Sequence, residues 1–250
     1  MFARNSTVVL LSLIVAACAP RPGEKLITAG YNFSALGEWG KSISSIDNAL
    51  KVAEDDEVRF LAYGSRCNFK IWDGRLQDAL NDCNASIRTK PGYYGLPYAS
   101  RARIFATMGR YAWAMQEFDI AIDLGGSRNS PVADNPRIIG LGGKARILAT
   151  SNDDKKRNAE LAVQFAEKAV ELEGGLSSPS HIILNLDTLA AAYAEAGRFD
   201  DAIKTQQKTI ERTKSNKWDA IRFGRQSIVN MLSDHLKLFQ NGKPLRGGVY

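Results

Sequence analysis

Apolar and small residues recur along this 250-residue chain at intervals of three and four positions. That interval places them on one face of an α-helix. The stretch before Gly197 shows the pattern, with one face formed by Leu186, Leu189, Ala190 and Tyr193. A second helical stretch begins directly after this glycine. The pattern therefore predicts two helices joined by a tight turn.

The same pair of helices recurs along the chain. Four segments contain a glycine with a large apolar residue two positions later, namely Gly37 with Trp39, Gly74 with Leu76, Gly109 with Tyr111 and Gly197 with Phe199. Small residues stand five and twelve positions after these glycines: Ser42 and Ala49, Ala79 and Ser86, Ala114 and Ala121, Ala202 and Thr209. Small side chains let helices approach closely, and glycine allows the chain to turn sharply.

The first three glycines are separated by 37 and 35 residues, close to the period of a helical repeat family. Here the chain resembles the tetratricopeptide repeat (TPR) family. The residues of the third unit that match the family pattern are Tyr98, Ala102, Phe105, Gly109, Tyr111, Ala114, Phe118 and Ala121. The resemblance implies an all-α, right-handed superhelical solenoid of about five helix pairs, with the repeats in residues 24–216.

A further unit fits between Gly109 and Gly197. Residues 142–174 predict a first helix that ends near Thr150, an eight-residue polar loop and a second helix. One face of that second helix carries Ala162, Ala166 and Ala169. Residues 217–250 predict a capping helix and tail, because a terminal helix that covers the last repeat keeps a solenoid soluble.

Two arginines stand where the TPR pattern usually has leucine. Arg66 and Arg101 occupy the same position in units two and three. These units have an acid at a matching position of the second helix, Asp82 and Glu117, whereas units one and five have neither residue. We predict the structural ion pairs Arg66–Asp82 and Arg101–Glu117, because an arginine between packed helices needs a partner. An anion-binding site is the alternative.

Cys67 and Cys83 lie on opposite helices of unit two, at positions that face each other in the TPR arrangement. A disulfide between them is allowed in an oxidising compartment, and two buried thiols are the alternative. The histidines His181 and His235 are distant from each other in the sequence. No spacing of these residues is typical of a metal site, so none is predicted.

The N-terminus has the layout of a secretory signal: a polar start with Arg4, an apolar run over 8–17, and small residues before Cys18. The run is too short for a membrane-spanning helix, which needs about 20 residues. The sequence VAAC at 15–18 resembles the bacterial lipobox. The resemblance implies a signal peptide at 1–17, lipidation of Cys18 and a spacer to residue 23. It also implies attachment to the outer membrane of a Gram-negative bacterium, facing the periplasm. Ordinary cleavage, leaving a soluble periplasmic protein, is the alternative.

Charge and motifs argue against nucleic-acid binding and catalysis. The net charge is +6, from 33 Lys+Arg and 27 Asp+Glu, without a basic cluster, so no nucleic-acid partner is expected. The glycine-rich stretch 140–144 begins a helix with no strand before it, unlike a phosphate-binding loop. Its Lys144 is expected to be solvated. No catalytic motif is recognisable, so neither an enzyme nor a cofactor is predicted.

The TPR resemblance implies a concave surface formed by the first helix of each unit. The candidates on this surface are Tyr31, Asn68, Trp72, Arg103 and Arg146. Arg103 and Arg146 would make the surface positive, which suits an acidic peptide or an anionic polymer; plain solvation of both side chains is the alternative. The family resemblance thus implies a lipid-anchored periplasmic adaptor for a protein or peptide partner in envelope assembly, secretion or wall biogenesis. A homo-oligomeric structural element is the alternative.

Overall fold

The protein is built from consecutive helical hairpins. The computed structural model describes residues 20–125, 135–173, 179–215 and 225–247. Within these ranges it has no strand. A short 3₁₀ helix spans Asp154–Lys156. The α-helices are α1 (Pro22–Ala35), α2 (Trp39–Lys51), α3 (Asp56–Trp72), α4 (Leu76–Thr89), α5 (Leu96–Thr107), α6 (Tyr111–Leu124), α7 (Pro136–Thr150), α8 (Ala159–Glu173), α9 (Pro179–Glu195), α10 (Phe199–Ser215) and α11 (Arg225–Gln240).

Five helix pairs, α1–α2 to α9–α10, form the predicted units, and α11 packs on the last of them. The first helix of units two to five packs against both helices of the preceding unit. The all-α expectation is confirmed. The first helix begins at Pro22, inside the segment 18–23 that the sequence predicts as a spacer. The predicted signal peptide 1–17 and Cys18 lie outside the described residues.

The turn glycines and the small residues act as the repeat pattern predicts. The four aligned glycines have φ between 73° and 78°, a left-handed conformation that glycine adopts without the steric cost of a side chain. The eight small residues that follow them at the fifth and twelfth positions have no exposed surface. The second helix of each of these four hairpins therefore packs closely at the same two positions.

A disulfide joins α3 to α4 within unit two. It links Cys67 and Cys83, whose Cα atoms are 5.3 Å apart. Both residues are fully buried and pack with Ala79 and Ile104. The bond therefore lies inside the unit and is shielded from solvent.

The predicted partners Arg66–Asp82 and Arg101–Glu117 are in contact. Arg66 donates two hydrogen bonds to Asp82, from Nε to Oδ2 at 2.8 Å and from Nη2 to Oδ1 at 2.7 Å. Arg101 donates the corresponding pair to Glu117 at 3.0 and 2.7 Å. The Lys70 Nζ also lies 2.7 Å from Asp82 Oδ2. Each arginine thus uses its planar fork to join the two helices of its own unit.

The same cation position also links each middle unit to the one before it. The three inter-unit contacts are Arg66–Asp47, Arg101–Asn84 and Lys144–Asp119. Each acceptor stands ten residues after the turn glycine of its unit. The expectation that Lys144 is solvated is wrong: its side chain is only 12% exposed. Besides the Asp119 carboxylate, it contacts the ring of Phe165, whose centroid is 4.8 Å from Nζ.

Replacing Asp82 by alanine should lower the free energy of unfolding by about 3 kcal/mol, because Arg66 and Lys70 would lose a shared buried carboxylate. Asp78→Ala is the matched control. It removes an exposed pair with Arg75 on the same helix and should cost less than about 1 kcal/mol. Urea unfolding of the two variants checks the difference, and equal losses would contradict the structural role of Asp82.

Candidate functional site

The first helices of units one to three are α1, α3 and α5. They form the N-terminal part of the inner face of the helix stack. Four of the five predicted groove residues lie on these helices and are partly exposed: Tyr31, Asn68, Trp72 and Arg103. They belong to three successive units. A ligand crossing the stack could therefore contact each unit in turn.

Aromatic and cationic side chains from three units meet beside this face. The rings of Trp39 and Trp72 are nearly parallel, at 17°, with centroids 6.4 Å apart. The guanidinium carbon of Arg103 lies 4.9 Å from the Trp72 ring centroid, where the negative face of an indole attracts a cation. We call Trp39, Trp72 and Arg103 the Trp–Arg cluster. Its position explains why Trp72 is only partly exposed.

Tyr31 is held in place by its neighbours on α3. Its hydroxyl oxygen accepts a hydrogen bond from Ser65 Oγ at 3.2 Å. Its ring meets that of Phe69 edge to face, with centroids 5.1 Å apart. Asn68, on the same helix as these two partners, brings an amide that can both donate and accept hydrogen bonds. The surface thus combines a fixed aromatic residue with a polar group suited to a peptide backbone.

A small cavity lies beside Arg103, between α5, α7 and α9. Its volume is about 30 Å³, which is room for about one water molecule. The lining residues are Arg103, Ile139, Gly143, His181, Leu184 and Asn185. The cavity can hold a single polar group, and it was not predicted because no sequence pattern connects α5 with α9.

The glycine-rich stretch at 140–144 serves helix packing. A β carbon at Gly143 would clash with the Phe118 ring, and one at Gly142 would clash with the side chain of Asn185. These clashes exclude any larger residue unless the helices move apart. The two glycines therefore let α7 approach α6 and α9.

Arg146 is the predicted groove residue that the structure places elsewhere. It is 5% exposed, and its Nη1 donates to Asp187 Oδ2 at 2.7 Å. The other oxygen of Asp187 accepts from Gln206 Nε2 at 2.8 Å and lies 2.8 Å from His235 Nδ1. These four residues come from α7, α9, α10 and α11. The prediction for Arg146 is wrong because the capping helix and its neighbours enclose it.

Asp187 is charged despite being buried. Burial by itself would raise the pKa of its carboxyl group. The charge of Arg146, followed by the interactions with His235 and the hydrogen bond from Gln206, holds the pKa below its usual range instead. This arrangement follows the rule that a buried charge needs both a counter-charge and hydrogen bonds.

The C-terminal tail strengthens the closure of this end. Leu245 is 6% exposed and packs with alanines of α7 and α9. Arg246 Nη1 donates to Glu195 Oε2 at 2.6 Å, and the backbone nitrogen of Gly247 donates to the carbonyl of Thr150 at 2.8 Å. The tail, which follows α11 in the sequence, therefore ties the ends of α7 and α9 together.

Glu173 is a buried acid near the small cavity. It is 3% exposed and accepts a hydrogen bond from the cavity residue Asn185 at 2.5 Å. Burial raises the pKa of Glu173 to about 7, although the bond from Asn185 and the charge of Arg212 oppose the rise. Glu173 thus titrates near neutral pH while the neighbouring Asp187 does not.

The part of the chain that the structure describes contains no group of three or more His, Cys, Asp or Glu side chains that could hold a metal ion. None of its helices has the length and apolar character needed to span a membrane.

Solved structures share this arrangement of helices. A thermophilic TPR protein of Thermus thermophilus matches with a TM-score of 0.57 and 17% identity, over 83% of this chain and 99% of that protein. A TPR protein of Parabacteroides merdae matches with a TM-score of 0.49 and 15% identity, over 89% and 80% respectively. No protein-family model and no curated protein matches the sequence. The likeness to the first structure shows that the fold is the predicted right-handed, TPR-like superhelical solenoid.

The wild type should lose stability relative to Glu173→Gln by about 3 kcal/mol between pH 4.5 and pH 7.5. The folded pKa of Glu173 lies above its ordinary value of 4.5. The folded state therefore binds the extra proton more tightly, and this advantage disappears as the pH rises through about 7. Chemical unfolding at the two pH values measures the difference in free energy of unfolding between the wild type and Glu173→Gln. Glu171→Gln, at an exposed position, is the control; a pH-independent difference for Glu173→Gln would refute the raised pKa.

Proposed function

We propose that this protein is an adaptor whose inner face binds an acidic peptide segment of a partner protein. The observation that carries the proposal is the Trp–Arg cluster. Its guanidinium group can pair with a carboxylate of the peptide. The adjoining indole rings offer a flat apolar surface to a neighbouring side chain, and tryptophan and arginine often dominate binding energy at such contacts.

Repeat geometry favours an extended peptide as the ligand. Equivalent positions of successive units present their side chains in a row, and a peptide laid across them meets one unit after another. Tyr31, Asn68 and Arg103 stand at one such position in units one to three. Unit four has Arg146 at this position, which is buried and bound to Asp187, so the binding surface we propose extends from unit one to unit three.

We further propose that a lipid on Cys18 attaches the adaptor to the outer membrane, facing the periplasm. There it would serve envelope assembly, secretion or wall biogenesis. The buried disulfide Cys67–Cys83 supports an oxidising compartment, because disulfides rarely persist in the cytosol of mesophiles. The lipobox-like sequence before Cys18 supports lipidation, since stable attachment needs more than one acyl chain.

Arg103→Glu should reduce partner binding at least tenfold, about 1.4 kcal/mol, because it places a carboxylate where the partner's own carboxylate would bind. Crosslinking and affinity purification from the native envelope measure the yield of each partner. Arg88→Glu is the matched control, since it makes the same charge change at an exposed position of the second helix α4. A variant that recovers the same partners in the same yield as wild type would show that the inner face does not bind them.

Cys18→Ala should release the protein from the membrane fraction into the soluble periplasmic fraction, because the acyl chains would have no attachment point. The double variant Cys67→Ala and Cys83→Ala keeps Cys18 and should remain in the membrane fraction. Fractionation followed by immunoblotting distinguishes the two. Unchanged membrane association of Cys18→Ala would rule out lipid attachment at this residue.

A further inference from the structure

Unit three differs from units one, two and five at one exposed position. Trp113 stands four residues after the turn glycine Gly109 and is 54% exposed. Units one, two and five have a charged residue at that position, which pairs with the residue directly after the turn glycine. These pairs are Lys41–Glu38, Asp78–Arg75 and Asp201–Arg198. The helical hairpin therefore forms without an aromatic residue here, and packing of the unit does not require Trp113.

The indole ring of Trp113 is held outward in a defined position. Unit three keeps a cation after its turn glycine, Arg110, whose guanidinium carbon lies 5.3 Å from the Trp113 ring centroid. The Trp113 ring also contacts the Phe105 ring edge to face, with centroids 5.4 Å apart. A cation–π contact thus replaces the ion pair of the other units. A large apolar ring remains open to solvent as a result.

A second departure from the repeat lies opposite Trp113. Unit four has the eight-residue loop 151–158 in place of a tight turn, and the loop contains the short 3₁₀ helix. The loop and the start of α6 enclose an open cleft of about 710 Å³. Besides Trp113, its lining includes Arg110, Tyr111, Ala112, Asp153 and Lys156. The cleft is therefore lined by both departures from the repeat pattern, Trp113 of unit three and the loop of unit four.

The charge of the cleft favours an acidic ligand. Its lining includes two cations, Arg110 and Lys156, and a single acid, Asp153. The carboxylate of Asp153 accepts a hydrogen bond from the backbone nitrogen of Lys155 at 3.0 Å and so caps the 3₁₀ helix. Lys156 makes no ion pair with another described residue. Positive charge beside an exposed indole thus remains for a ligand to neutralise.

We propose that this cleft is a second docking surface, for a peptide segment that presents an apolar side chain next to aspartate or glutamate. The apolar side chain packs on the face or edge of Trp113, and the carboxylates pair with Arg110 and Lys156. The cleft volume suits a few residues of a peptide. Its two walls fit a chain inserted between them better than a flat membrane surface.

The probe is a set of acetylated nonapeptides with a central Trp, Phe or Leu flanked on each side by four glutamates, and a matched set with lysines. Binding is measured by fluorescence anisotropy in an Arg103→Glu background, so that the inner face does not contribute. We expect the glutamate set to bind and the lysine set to fail. Trp113→Asp should weaken binding at least tenfold and Lys156→Glu several-fold. Asp78→Ala, at the position equivalent to Trp113 in unit two, should have no effect.

Other outcomes overturn this proposal. No binding of the glutamate peptides, or binding that Trp113→Asp leaves unchanged, excludes the cleft as a site for acidic peptides. Binding to phosphatidylglycerol vesicles that is lost in Trp113→Asp, without peptide binding, assigns the surface to a membrane. A dimer in sedimentation that Trp113→Asp dissociates assigns it to a second copy of the chain. Circular dichroism checks that the variants are folded. Failure here leaves the inner-face proposal standing, because that rests on Arg103 and is tested separately.

Discussion

The cation on the first helix of each middle unit determines how the units stack. Arg66 binds Asp82 within its own unit and Asp47 in the unit before. A leucine at this position would tolerate small rotations of one unit against the next. A partly buried guanidinium group does not, because each donor left without an acceptor costs free energy. Arg101 and Lys144 occupy the same position in units three and four and each contacts the unit before, so the three cations together fix the register of units one to four.

Unit five breaks this series and is held in a different way. It has Leu189 at the position of the cations, and its most buried ion pair is the one between Asp187 and Arg146. Because Asp187 binds Arg146, Gln206 and His235, the last units are locked to the capping helix. The chain therefore covers part of its own inner face at the C-terminal end. The surface that we propose for a partner lies mainly on units one to three, where the Trp–Arg cluster is.

The repeat pattern predicted contacts within a unit better than contacts between units. Arg66 and Asp82 occur together in some units and are absent together from others, so one sequence was enough to pair them. The sequence indicated the contact between Arg66 and Asp47 less clearly, because the equivalent acceptor is aspartate in some units and asparagine in another. Arg146 could not be placed from its own unit. Its partner Asp187 is 41 residues away on another unit, and only three-dimensional packing shows that Asp187 also contacts His235 of α11.

Departures from an internal repeat are informative about function because the other units show what the fold requires. A buried departure, such as Leu189, is explained by a change in packing. Trp113 has no such explanation, since three units close their turns with an exposed ion pair instead. Arg103 and Trp113 both belong to unit three, and Phe105 lies two residues after Arg103 while its ring touches Trp113. If one partner chain engages both surfaces, the second contact forms at the high effective concentration set by the first. Two weak contacts on one rigid unit would then give tight binding without either pocket being deep.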